Sequence, residues 1–447
     1  MDWISGFLLT IAVFVAALFI LVFFHELGHF LAAKFFKMRV DRFSIGFPPK
    51  ITGFQKGETE YVIGATPLGG YVKIAGMIDE TMDDEFLEEE PKPWEFRSKP
   101  VWQRIIVITA GVIFNVILAA FIYTGMAMQY GEEVISVESI EGIYVPDESL
   151  ASEIGFQTGD RLIGINNREV EYFDDIMSMS AITERNVSFM VQRDGNTLQL
   201  QAPPDFLDRL SESGFISIIH AMPAKIGQIQ PGSPADEAGL QSGDEVVSVN
   251  GEPVNYWLEL VEKIQEAEGE MTLKIRREGQ IAEESVTPDP ESNTIGIQLT
   301  NPFEYYQSER ITHGLVSATG VGINRTSDTF TGIIQGLVKM FTGDISVREN
   351  LGGPVAIANV TKQATDSGGM RGFWEITAFL SVTLAIMNML PIPALDGGHF
   401  MFLVYEGITR REPSAKVRMA LQQIGFILII GIFIFVTFND ILRTFGG

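Results

Sequence analysis

Four apolar runs, each long enough to cross a bilayer as a helix of about 20 residues, dominate this 447-residue chain. They extend from about Ile4 to Phe36, from Arg104 to near Met128, from Phe373 to Leu390 and from Leu421 to Phe438. In hydrocarbon no water is available to the backbone, so such runs must be helical. The first resembles a signal peptide only superficially. Asp2 and no Lys or Arg precede it, and the apolar stretch is too long. Inside it stands His25-Glu26-Leu27-Gly28-His29. Ionisable groups at membrane depth are costly and are functional candidates by default.

Histidines four apart lie on one helix face, one above the other. Two imidazoles need that spacing to hold one Zn²⁺, and Glu26 beside them can act as general base. A catalytic zinc takes three protein ligands and keeps one position open. The basic residues show where to look for the third. Lys34, Lys37, Arg39 and Arg42 follow the first run, and Arg97, Lys99 and Arg104 precede the body of the second. Arg410, Arg411, Lys416 and Arg418 separate the third from the fourth. The positive-inside rule places the 37–103 and 400–418 loops in the cytoplasm. Both termini and the large 130–370 region then lie outside. The first and third runs cross in the same direction, so Asp396 after the third falls at the depth of His25 and His29. Leu395-Asp396-Gly397-Gly398 also suits a plain helix end, since Asp and Gly are turn residues.

A formal net charge of −25 argues against nucleic-acid binding. The chain has no cysteine, which excludes thiol catalysis and disulfides. The acidic stretch Asp83-Asp84-Glu85 and Glu88-Glu89-Glu90 reads as solvated and without a specific role.

The region between the second and third runs repeats itself. Gly155 to Asn166 aligns with Gly239 to Asn250 at an offset of 84 residues. Each copy reads as a short helix, a Gly-Asp turn and an alternating strand ending in Asn166-Asn167 or Asn250-Gly251. So long a period marks a duplicated domain. In the cytoplasmic loop, Arg42–Pro49 and Tyr61–Ile74 read as short strands. They suit an ordinary hairpin, or one that dips into the membrane beside a watery cavity. Gly314–Phe341 mixes apolar and polar residues as one or two amphipathic helices. These fit either the outer membrane interface or a linker packed on the second repeat. Asn115 and Asn388 sit inside spans, where amides commonly bond helices together. His220 and His313 read as ordinary, and His399, close to Asp396, stays an outside candidate.

His-Glu-Leu-Gly-His in the first run, together with Asn388-Met-Leu-Pro-Ile-Pro-Ala-Leu-Asp396-Gly-Gly after the third, resembles the site-2 protease family of intramembrane zinc metalloproteases. The likeness covers essentially the whole chain, in a four-span form with two PDZ domains. It implies a polytopic α-helical membrane protein of four transmembrane helices, with two α+β, β-barrel-like PDZ domains between helices 2 and 3. The expected divisions are 1–36, helix 1 with the zinc motif; 37–103, a cytoplasmic loop with membrane-associated strands; and 104–130, helix 2. PDZ domains follow at 131–221 and 222–305, then linker helices at 306–370. Helix 3 with the third ligand takes 371–399, a cytoplasmic loop 400–418, and helix 4 419–441. The resemblance further implies one Zn²⁺ per chain on His25, His29 and Asp396, with Glu26 catalytic. Asn388 and Asn115 are expected to contact the substrate backbone or the developing oxyanion. Gly69, Gly70 and Tyr71 fall in a loop holding substrate in extended form. PDZ domains bind chain ends by strand addition, or here serve as a size filter. Implied substrates are pre-trimmed single-span proteins of the anti-sigma-factor type and signal-peptide remnants, cleaved at the bacterial inner membrane in a stress response. A non-proteolytic membrane scaffold presenting PDZ domains is the alternative of a different class, as is a relative with another substrate such as a peptide pheromone.

Overall fold

The computed structural model describes residues 2–77, 90–147, 149–176, 187–206, 219–230, 232–267, 269–290, 293–306, 308–342 and 352–445. The acidic stretch at 83–89 lies outside them. The chain divides into two compact units, Glu132–Ile311 and the combination of Met1–Gly131 with Thr312–Gly447.

The second of these is helical. Its long helices are α1 (Asp2–Phe35), α2 (Val101–Tyr130), α3 (Leu315–Thr342), α4 (Pro354–Met389), α5 (Asp396–Thr409) and α6 (Ala415–Phe445). Helices α1, α2, α4 and α6 are long and apolar enough to span a membrane. α4 is two helices joined at Gly369, whose φ of 56° and ψ of −137° are not helical. The bend is sharp: a Cβ on Gly372 would lie 1.8 Å from the Ala364 carbonyl oxygen. The expected third span over 371–399 stops at Met389. Pro391 and Pro393 interrupt it, and Asp396 opens a new helix. The expected loop over 400–418 is helical as far as Thr409, because its apolar residues pack inward, Leu403 against Val107 and Ile108 of α2. α3 is a single helix. It packs on α2, where a Cβ on Gly322 would meet Thr124 and Ala120, and Tyr123 bonds Thr329 at 3.3 Å.

Between α1 and α2 run two long strands, β1 (Val40–Lys56) and β2 (Thr59–Ile74). Each doubles back, so Phe43 pairs with both Tyr61 and Val72, and Tyr61 with both Phe43 and Phe54. The result is a four-row sheet. Val72 and Ile74 of one edge row and Val40 and Phe43 of the row beside it are buried with α1 and α2 residues. Residues 48–57 form the exposed outer row.

The Glu132–Ile311 unit holds two four-stranded antiparallel sheets of the same order. The first orders Arg168–Glu169, Arg161–Ile165, Ser188–Arg193 and Asn196–Gln201; the second, Glu252–Pro253, Glu245–Val249, Met271–Arg277 and Gln280–Val286. The repeat extends to individual bonds, each displaced by 84 residues. Arg193 forks onto buried Asp160 and reaches the Gly155 carbonyl, as Arg277 does with Asp244 and Gly239. Asn166 accepts from the Ser188 N–H as Asn250 does from Thr272. Each sheet has its own apolar core, and Trp257 packs against both. Ser308–Ile311, beyond the expected end of the second repeat, pairs with Glu132–Ile135. A groove of about 490 Å³ lies between the helix Trp257–Gln265 and the strand Ile297–Leu299.

Candidate metal centre

α1 brings His25 and His29 against α2, and the contact depends on two glycines. A Cβ on Gly28 would sit 2.4 Å from the Ala110 carbonyl oxygen, and one on Gly111 would sit 2.3 Å from His29 Nε2. α2 then orients both rings. His29 Nδ1 donates to the Val107 carbonyl oxygen at 2.8 Å. His25 Nδ1 lies 3.2 Å from the amide of fully buried Asn115. The amide atom at that distance is Nδ2, and Oδ1 is left without a partner; a ring offering Nε2 to a metal carries its proton on Nδ1, so the amide turned over, with Oδ1 toward the ring, satisfies both groups. Asn115 is itself held in place, because Ser381 of α4 donates to its carbonyl oxygen at 2.8 Å.

Both Nε2 atoms point toward Asp396 at the first turn of α5. His25 Nε2 is 3.2 Å and His29 Nε2 3.3 Å from Asp396 Oδ2, and the two Nε2 atoms are 3.2 Å apart. Zinc bonds of 2.0–2.1 Å give a tetrahedron with edges of about 3.3 Å. The three atoms therefore form one face of such a tetrahedron. Asp396 Oδ2 is buried without a hydrogen-bond partner, an arrangement that a cation satisfies. These residues fit zinc.

Glu26 is buried beside His25. The β2 backbone crosses it at Gly70, where an added Cβ would be 2.9 Å from Glu26 Cγ. Gly69 lies against the Phe47 ring. Tyr71 is 5% exposed, its ring stacked on Phe47 and its hydroxyl accepting from Arg42. Asn388 reaches His25 from the metal side, its Nδ2 3.3 Å from Nε2. The two amides thus stand at opposite nitrogens of one imidazole. Among the described residues the cluster of potential metal ligands is His25, His29 and Asp396. His399, one turn beyond Asp396, lines a separate cavity with Arg104 and Glu406.

Sequence reasoning missed Gly28, the Val107 carbonyl and the Arg104–Glu406 pair. A signal for the last was present: Glu406 interrupts the apolar stretch Phe400–Tyr405.

Residues 13–432 match the family described as peptidase family M50. A protein named regulator of sigma E protease from Haemophilus influenzae is 32% identical, over 98% of this chain and 100% of its own length. Zinc metalloprotease RasP from Oceanobacillus iheyensis is also 32% identical, over 98% of this chain and 99% of its own. Regulator of sigma-E protease RseP from Salmonella typhimurium is 31% identical, over 97% and 98%.

Proposed function

The chain belongs to peptidase family M50 and is a site-2 type metalloprotease, and from that premise we propose that it cleaves peptide bonds within the membrane segments of single-span proteins. Its four apolar helices suit a multi-pass protein of a bacterial inner membrane. The observation that carries the chemistry is the tetrahedral face formed by His25, His29 and Asp396. Zinc held by these three residues would supply a Lewis acid for the scissile carbonyl and would lower the pKa of a bound water. Glu26, buried beside the cluster, would act as general base toward the attacking water and then pass the proton to the leaving amine. Val107 and Asn115 keep the two imidazoles in the ligating tautomer, and Asn388, on the open side, hydrogen-bonds the substrate carbonyl as negative charge develops.

A helical substrate shields its carbonyls, so it unwinds before attack. The passage of β2 over Glu26 at Gly70 supports a role for this strand in holding extended substrate. Gly69 and Gly70 keep the backbone close, while Tyr71 anchors the sheet. The paired sheets of the Glu132–Ile311 unit are assigned as tandem PDZ domains on the outer side, with both termini there too. The groove beside Ile297–Leu299 supports capture of a chain end by strand addition. Two relatives are named as regulators of sigma E, which supports a place in envelope stress signalling; single-span substrates of the anti-sigma-factor type fit that reading. Signal-peptide remnants are a second substrate class with the same single-span form.

Glu26→Gln is the decisive variant. Purified in detergent, it is expected to retain zinc but not to cut a single-span test substrate, whereas His25→Ala, His29→Ala and Asp396→Ala are expected to lose both. Turnover by Glu26→Gln, or a wild-type protein free of zinc, would overturn the assignment.

A further inference from the structure

α5 carries Asp396 at its first residue and Glu406 ten residues later. Glu406 pairs with Arg104 at the start of α2. Both side chains are almost withdrawn from solvent, at 6% and 12% exposure, and the guanidinium carbon lies 5.9 Å from the centre of the Phe96 ring. Glu412 extends the cluster: it is 3.7 Å from Arg104 on one side and 3.7 Å from Arg418 of α6 on the other. The other end of α5 is gripped by backbone. Added Cβ atoms on Gly397 and Gly398 would clash with the Leu390 and Ile392 carbonyls, and one on Gly425 of α6 would lie 1.7 Å from the Pro393 carbonyl oxygen.

We propose that Arg104 and Glu406 are positioning residues for the metal, clamping the far end of α5 so that Asp396 meets the two histidines. The inference rests on the zinc reading. Ten helical residues span about 15 Å, so a tilt of about 4° at the Glu406 end moves Asp396 by about 1 Å. Metal ligands tolerate about 0.2 Å. Packing of Leu403 on α2 holds α5 close but permits sliding, whereas a guanidinium whose Nη2 meets Glu406 and whose Nη1 faces Glu412 favours one register. A desolvated pair is a weak source of stability, and apolar replacement of both partners is commonly tolerated. What the pair supplies is direction.

That difference makes the clamp testable in the full-length, detergent-purified protein. Arg104→Met with Glu406→Leu is expected to melt near the wild-type temperature yet release zinc to a chelator about tenfold faster, the scale seen when supports of metal ligands are removed. Substrate KM stays unchanged while kcat falls with zinc occupancy. Arg104→Lys keeps the charge but offers one nitrogen where the guanidinium offers separate ones to Glu406 and Glu412, and is expected to shift zinc release in the same direction. Either variant melting as the wild type does and releasing zinc at the wild-type rate overturns the clamp. His29→Ala, zinc-free whatever the state of α5, is the separate control: a zinc-loaded His29→Ala protein refutes the metal reading itself.

Discussion

Asn115 of α2 stands 3.2 Å from His25 Nδ1, on the side of the ring opposite the metal-facing nitrogen. A hydrogen bond there selects the tautomer whose Nε2 lone pair is free. Asn115→Ala removes the acceptor and leaves a buried N–H with no partner. Zinc affinity is expected to fall 10- to 100-fold, the usual effect of losing such a support. Asn115→Asp, which keeps an acceptor oxygen, is expected to retain more of it. Zinc titration of the apo-protein checks both, and equal affinity for Asn115→Ala and the wild type would show that the amide does not orient the ring.

The contact between α1 and α2 has no room for a methyl group. Gly111→Ala would place Cβ 2.3 Å from His29 Nε2, and Gly28→Ala would place it 2.4 Å from a carbonyl. The helices must separate, and the histidines move with α1. A displacement of about 1 Å costs on the order of 100-fold in rate. Cleavage by either variant is expected to fall at least that far. Zinc content separates the two: Gly111→Ala intrudes on the metal face and is expected to lose the ion, whereas Gly28→Ala acts one step away.

Much of this site is legible in the sequence because helix periodicity is local. His25 and His29 must share a face once the first run is helical. Asp396 is harder, since its place beside them depends on two spans crossing in one direction. Its local structure is misread, because Pro391, Pro393, Gly397 and Gly398 look like the end of a helix, yet Asp396 begins one. The doubled-back strands β1 and β2 are likewise hidden. Their double pairing at Phe43 and Tyr61 joins residues far apart in sequence, and Lys50–Lys56 lacks the alternation that marks a half-buried strand. The 84-residue repeat is the reverse case. Asp160, Arg193 and their counterparts Asp244, Arg277 recur at one spacing because each copy needs the same bonds.

Asp440 near the end of α6 caps the start of α4. Its carboxylate accepts from the Gly353 and Ala356 N–H groups at 3.1 and 2.9 Å, and it is 3% exposed. Helix N-termini carry unsatisfied donors and partial positive charge. Asp440→Ala strands two donors and is expected to cost about 2–3 kcal/mol. Asp440→Asn keeps an acceptor and loses mainly the charge, so its effect is smaller. Thermal unfolding in detergent ranks the two, and an Asp440→Ala protein as stable as the wild type refutes the cap.

Tyr144 ties the two repeats together. Its hydroxyl lies 3.1 Å from Glu262 of the second, and its ring is tilted against Tyr256 at 6.0 Å. Burial, reinforced by the negative charge of Glu262, pushes its phenol up to about 12 from the usual 10. The unfolded chain therefore releases this proton first. Below pH 10 neither state has lost it and the contact contributes in full; as pH rises from 10 to about 12 the unfolded state is increasingly favoured. Wild-type protein is expected to lose stability across that window relative to Tyr144→Phe, which has no phenol to ionise. Chemical unfolding at pH 9 and pH 11 measures it. The gap between the two proteins should narrow at the higher pH, and a gap that stays constant would place Tyr144 in water, unlinked to Glu262.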